Sequence, residues 1–125
     1  FNTAYAARYG LRAFVTQLRS LGEAEAFIAA GIPLVASITV GPNALPGFLF
    51  GQGTAGHLLV IRGFTQSGDV IANDPAATSN ARVPRVYPRA AFERSWLLGS
   101  SGVAYVIHPA TVPLPTRPGG FPAGW

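Results

Sequence analysis

The 125 residues weigh 13.0 kDa, 49% of them hydrophobic and 11% charged, and nine arginines against five acids give a formal charge of +4. A chain of this length makes one small domain and can withdraw roughly two-thirds of its unfolded surface from water, which excludes disorder over most of it. Cysteine is absent, so these residues hold no disulfide, thiolate zinc site or cysteine nucleophile, and no run approaches the roughly 18 apolar residues a membrane-spanning helix needs.

Asn2 caps a short predicted helix through Tyr5, Ala6 and Tyr9 that Gly10 ends. Ala13 to Leu18 is rich in strand formers and predicts a strand, after which Ser20 and Glu23 have the spacing of a capping box. The helix that follows runs to about Ala30, its stripe made by Leu21, Ala24, Phe27 and Ile28, and Gly31 and Pro33 stop it. Ile32 to Val40 reads as a buried strand, so residues 13–40 form a β-α-β unit with an expected right-handed crossover. Residues 41–56, with five Gly and two Pro among sixteen, read as a long loop of the kind that lines functional sites. Phe48, Leu49 and Phe50 in that loop fit either a lid folded onto the core or an apolar wall facing substrate.

Two apolar strands, His57–Phe64 and Asp69–Asn73, flank the turn-rich Thr65–Gly68 and predict a β-hairpin. Residues 74–87 read as a second loop. A last helix opens at Pro88 and buries Ala91, Phe92, Ser95 and Trp96, and residues 102–108 make the final strand. The chain is expected to divide into a lobe over residues 1–108 and a Pro/Gly-rich tail over 109–125, extended or disordered. Because it starts at Phe1 and has no methionine, the expectation is a processed or excised piece.

A turn centred on residues 65–68 brings His57 and Asp74 side by side at the open end of the hairpin, where opposed positions are about 5 Å apart at Cβ. A carboxylate on one ring nitrogen fixes the tautomer and leaves the other nitrogen to act as a base. Spacing alone fits a structural hydrogen bond better than a catalytic pair. His108, before Pro109, reads as structural or solvent-facing. With two histidines and five scattered acids, no metal-ligand spacing is present, and no cofactor is expected. Gly51, Gly53 and Gly56 have the letters of a dinucleotide fingerprint, but a strand follows them where a helix is required. Arg82, Arg85, Arg89 and Arg94 fit a solvated loop and helix face better than an anion-binding strip, and nucleic acid is not an expected partner.

The run T-A-G-H-L-L-V-I-R-G-F, a short turn and D-V-I-A-N-D-P-A-A over residues 54–77 resembles the His and Asp segments of cysteine peptidase family thirty-nine. These are papain-like domains of bacteriocin-leader processing and of secreted bacterial proteins. The Tyr-rich opening, G-I-P-L-V-A-S-I, F-E-R-S-W and G-V-A-Y-V-I extend the similarity from Phe1 to about Pro109. The resemblance implies an α+β papain-like fold with a mixed, mostly antiparallel sheet and flanking helices, and an extracellular or cell-envelope location. It implies a Cys-His-Asp site that cuts peptide or isopeptide bonds, with His57 as base and Asp74 as its orienting carboxylate. The family's nucleophile helix, with its cysteine and the oxyanion glutamine, is then missing, and Gln52 and Gln66 fall too late to replace that glutamine. Alone the chain is expected to be inactive, its partners being a peptide or protein substrate and an N-terminal segment bearing the cysteine. The alternative is a non-catalytic peptidase-like module that binds a peptide or cell-envelope partner. Loss of the first lobe is also expected to expose apolar surface on the sheet.

Overall fold

The computed structural model describes residues 8–116 and residue 125. Its strands are β1 (Leu11–Gln17), β2 (Leu34–Val40), β3 (Thr54–Phe64), β4 (Val70–Asn73), β5 (Pro84–Tyr87) and β6 (Val103–Pro109). Helix α1 (Leu21–Ala29) joins β1 to β2, and α2 (Arg89–Glu93) joins β5 to β6. All but Arg8 and Tyr9 of the expected opening helix lies outside the described residues, and those two form a turn.

Ser20 caps α1 as its spacing predicts, accepting the Glu23 N–H at 3.2 Å. The return bond lands one residue upstream, where Glu23 Oε1 accepts the Arg19 N–H at 2.7 Å. Leu21, Ala24 and Phe27 are fully buried along the predicted stripe. Helix α2 continues into a wider π turn over Arg94–Leu98, marked by a Gly99 N–H to Arg94 carbonyl bond of 2.9 Å. Its four expected inward residues, Ala91, Phe92, Ser95 and Trp96, are all buried.

The sheet runs β1-β6-β2-β3-β4-β5, and every pairing is antiparallel. The architecture is α+β. Strands β1 and β2 of the β-α-β unit run the same way but do not touch, because β6 lies between them. Alternation sorts the side chains. Leu34, Ala36, Ile38 and Val40, Leu59 and Ile61, Val70 and Ala72, and Ala104 and Val106 share one face and form the core with the helices. The opposite face leaves Val15, Leu58 and Val86 exposed.

Strand β5 corrects the reading of residues 74–87 as loop. It begins at Pro84, which cannot donate to a ladder and is tolerated there because β5 is the sheet's edge. The first loop is also shorter than expected, since Thr54 already pairs with Val40. Of the expected tail, Pro109 ends β6 and residues 110–116 are irregular, and Trp125 packs against Phe27 with the rings tilted at 55° and their centroids 4.5 Å apart.

Candidate active site

Strand alternation places His57 on the face of Leu59 and Ile61, and Asp74 on the face of Val70 and Ala72, so both side chains point to the core side of the sheet. His57 Nε2 and Asp74 Oδ1 are 2.8 Å apart. The two residues are not ladder partners, however. The register pairs Val60 with Asn73 and Ile61 with Ala72, shifts by one residue before Gly63, and ends at Val60. The chain bends away at Pro75, and the carboxylate reaches the imidazole diagonally past the end of β4. Asp74 is held there by its own backbone: its N–H donates to Val83, and Oδ1 also accepts the Ala76 N–H at 2.9 Å. That side-chain-to-backbone bond is an Asx turn, which fixes the carboxylate before the imidazole meets it.

The loop over residues 41–53 covers the pair. Leu45 is plugged into the core at 3% exposure. The turn Leu45-Pro46-Gly47-Phe48 has proline second, glycine at φ +85° third, and a Phe48 N–H to Leu45 carbonyl bond of 3.0 Å, the pattern of a type II turn. An Asn43 N–H to Gly51 carbonyl bond closes the base of the loop. Beyond the turn, the rings of Phe48 and Phe50 stand edge-on to His57 at 5.6 and 5.5 Å and to each other at 5.5 Å. Edge-to-face contacts at this spacing are attractive and directional. Phe48 packs on the core, as the lid reading has it, while Phe50 remains 38% exposed.

Asp74 is completely buried, and its Oδ2 has no hydrogen-bond partner among the described residues. The Tyr87 hydroxyl is likewise buried and unpartnered. Burial pushes the Tyr87 phenol up to about 12, and the Asp74 charge adds to the rise against the pull of Arg85. His57 also borders an open depression of about 620 Å³ lined by Ser37, Gly56, Leu58, Pro75, Ala76 and Tyr105. What this arrangement can do is take and return one proton on the His57 nitrogen that does not face Asp74.

Other candidates fall elsewhere. His108 is buried on β6, its Nδ1 near the carbonyls of Pro109 and Val112, and its ring lies edge-on to Phe14, so of the two bland readings the structural one holds. Arg85 and Arg89 turn inward to Gly47 and to Gly68 and Glu25, while Arg82 and Arg94 stay exposed. Among the described residues no three of His, Asp and Glu gather where a metal ion would sit. Arg85 was marked in the sequence only as one of four clustered arginines, and neither its contact with Gly47 nor the place of Tyr87 was legible, because β5 was hidden behind Pro84 and the Arg85 contact spans 38 residues.

Residues 2–102 match the model of the Peptidase_C39 like family. Among solved structures, the crystal structure of a Bacillus anthracis protein named as a C39-like peptidase aligns with a TM-score of 0.54 at 22% identity. The alignment covers 75% of this chain and 50% of that one, so the chain spans about half that protein's length, and the likeness is one of fold. No curated protein matches.

Proposed function

Because this chain belongs to the Peptidase_C39 like family, we propose that it supplies the His and Asp half of a cysteine peptidase site whose thiol lies outside these 125 residues. The observation that carries the reading is the 2.8 Å contact of His57 Nε2 with buried Asp74. With Nε2 committed to the carboxylate, Nδ1 is the nitrogen left for a thiol. In this reading Nδ1 takes the thiol proton, and the thiolate attacks the peptide carbonyl. The imidazolium then returns the proton to the departing amine, and water releases the acyl group by the same base. Asp74 holds the ring in place without accepting the proton itself.

The test joins a cysteine-bearing segment of a family member ahead of Phe1 and measures cleavage of a fluorogenic peptide library. Turnover is expected from the joined protein and none from the chain alone. Asp74→Asn should lower kcat by about 10³–10⁴, the loss typical when an orienting carboxylate is neutralised. His57→Ala should abolish cleavage in a protein that still folds, and undiminished turnover there rules out the proposed base.

The absence of cysteine favours a second reading, a peptide-binding module without chemistry. Peptide retention by the chain, with no turnover from any joined segment, selects it.

A further inference from the structure

We propose that Arg85 is a positioning residue for His57, acting through the loop over residues 41–53 without touching the imidazole. This inference rests on the reading of His57 as the base of the site. Arg85 stands on edge strand β5, opposite Ala72. Its Nε and Nη2 both donate to the Gly47 carbonyl, at 2.9 and 2.5 Å, while Nη1 reaches the Arg82 carbonyl at 3.4 Å. A planar guanidinium offers two donors in a fixed fork, and here the fork closes on one backbone oxygen.

Gly47 directly precedes Phe48, so the guanidinium grips the turn at the point from which the aromatic pair departs. The other restraints on this loop are local to it: Leu45 in the core, the Phe48–Leu45 bond within the turn, the Gly53–Phe50 bond after it and the Asn43–Gly51 bond at the base. Three groups then bound the imidazole: Asp74 at Nε2, and the rings of Phe48 and Phe50. The carboxylate is fixed by its own Asx turn. The two rings have no hydrogen bonds through their side chains, so beyond the packing of Phe48 on the core their placement follows the backbone that Arg85 holds. Releasing Gly47 leaves the Asp74 contact in place and frees the aromatic walls, which changes the access and environment of His57.

The experiment reads the imidazole without any peptide substrate. The His57 ring-proton resonances are recorded by NMR in the full chain and in Arg85→Gln. Acylation of each histidine by diethyl pyrocarbonate is followed by peptide mapping. In wild-type protein the Phe48 and Phe50 ring currents displace the His57 signals, and the variant should move them toward an exposed imidazole. Acylation of His57 should quicken about tenfold, as for a site whose local opening has become easier. Signals and acylation of His108, buried on β6, should not move, which separates loop release from general loosening. Arg85→Lys, which keeps the charge and offers a single flexible donor, should fall between the two.

If Arg85→Gln does not fold, Arg85→Leu keeps the stem and removes the donors, and the same readouts apply. Unchanged His57 shifts and acylation in a folded variant overturn the proposal, as does an equal rise at His108. A released imidazole together with a joined protein that never cleaves would sink the peptidase reading and leave the role of Arg85 standing.

Discussion

Tyr87 brings the edge strand into the electrostatic reach of the candidate site. Its phenol is fully buried, lies in the field of Asp74, and is pushed up to about 12 from an ordinary value of 10.0. The proton is held more tightly in the folded chain than in the unfolded one. The resulting stability is complete below about pH 10 and is lost as pH rises toward and through 12. A rise of two units corresponds to about 2–3 kcal/mol. Urea unfolding of wild type across pH 9–12 should therefore show a decline that Tyr87→Phe lacks, and parallel profiles would refute the assignment. At pH 7 the same variant should stay within about 1 kcal/mol of wild type, since it removes a buried hydroxyl that has no partner among the described residues. At this scale His57 and Asp74 were legible because a histidine after glycine and an aspartate before proline bracket a readable hairpin. Tyr87 and Arg85 were not, because nothing local marks a side chain whose contacts are made across the fold.

At the scale of elements, what could be read locally was read well. Helix α1 announces itself by its cap and stripe, and α2 by four inward positions that all proved buried. Boundaries failed where backbone chemistry and tertiary pairing compete. Thr54–Gly56 looked like loop beside four upstream glycines, yet β2 recruits it into β3. The pairing of β3 with β4 was legible, but the shift before Gly63 was not, since an extra residue in a ladder leaves no compositional mark.

The junction after α2 offers a quantitative test. Gly102 has φ +69°, and a Cβ there would lie 2.0 Å from the Leu18 carbonyl oxygen. The Leu18 N–H donates to the Gly102 carbonyl at 2.9 Å, so the two backbones are already locked together. Gly10 has nearly the same φ, +71°, with nothing within 4 Å of an added Cβ. Gly10→Ala should cost about 1–2 kcal/mol for conformation alone. Gly102→Ala must add displacement of a β1-to-β6 junction and should cost about 2–4 kcal/mol. Equal losses in chemical denaturation would show that the close approach at Leu18 relaxes freely.

The whole molecule depends on a strand that its local pattern did not place. β6 was predicted as a strand, but only the assembled sheet puts it between β1 and β2, paired on both sides. Insertion of the last strand between two earlier ones is a long-range choice, decided by which apolar faces complete one core. Residues 103–109 are thus central to the sheet although they lie beyond the family match, and Ala104 and Val106 are fully buried there. A chain ending at residue 102 loses the strand that joins β1 to the rest, and Trp96 loses the Val103 carbonyl that its indole N–H reaches at 2.9 Å. Such a chain should show no cooperative thermal transition by circular dichroism. A chain ending at residue 116 keeps every strand described above and loses Trp125, which packs against Phe27 and donates to the Pro115 carbonyl at 3.0 Å. Aromatic pairs contribute about 0.5–1.5 kcal/mol beyond area burial, and about 1 kcal/mol moves the Tm of a domain near this size by roughly 4–8 °C. The 1–116 chain should therefore melt cooperatively several degrees below the full chain. A Tm equal to that of the full chain would show that Trp125 rests on α1 without stabilising it, and a cooperative transition in the 1–102 chain would contradict the central place of β6.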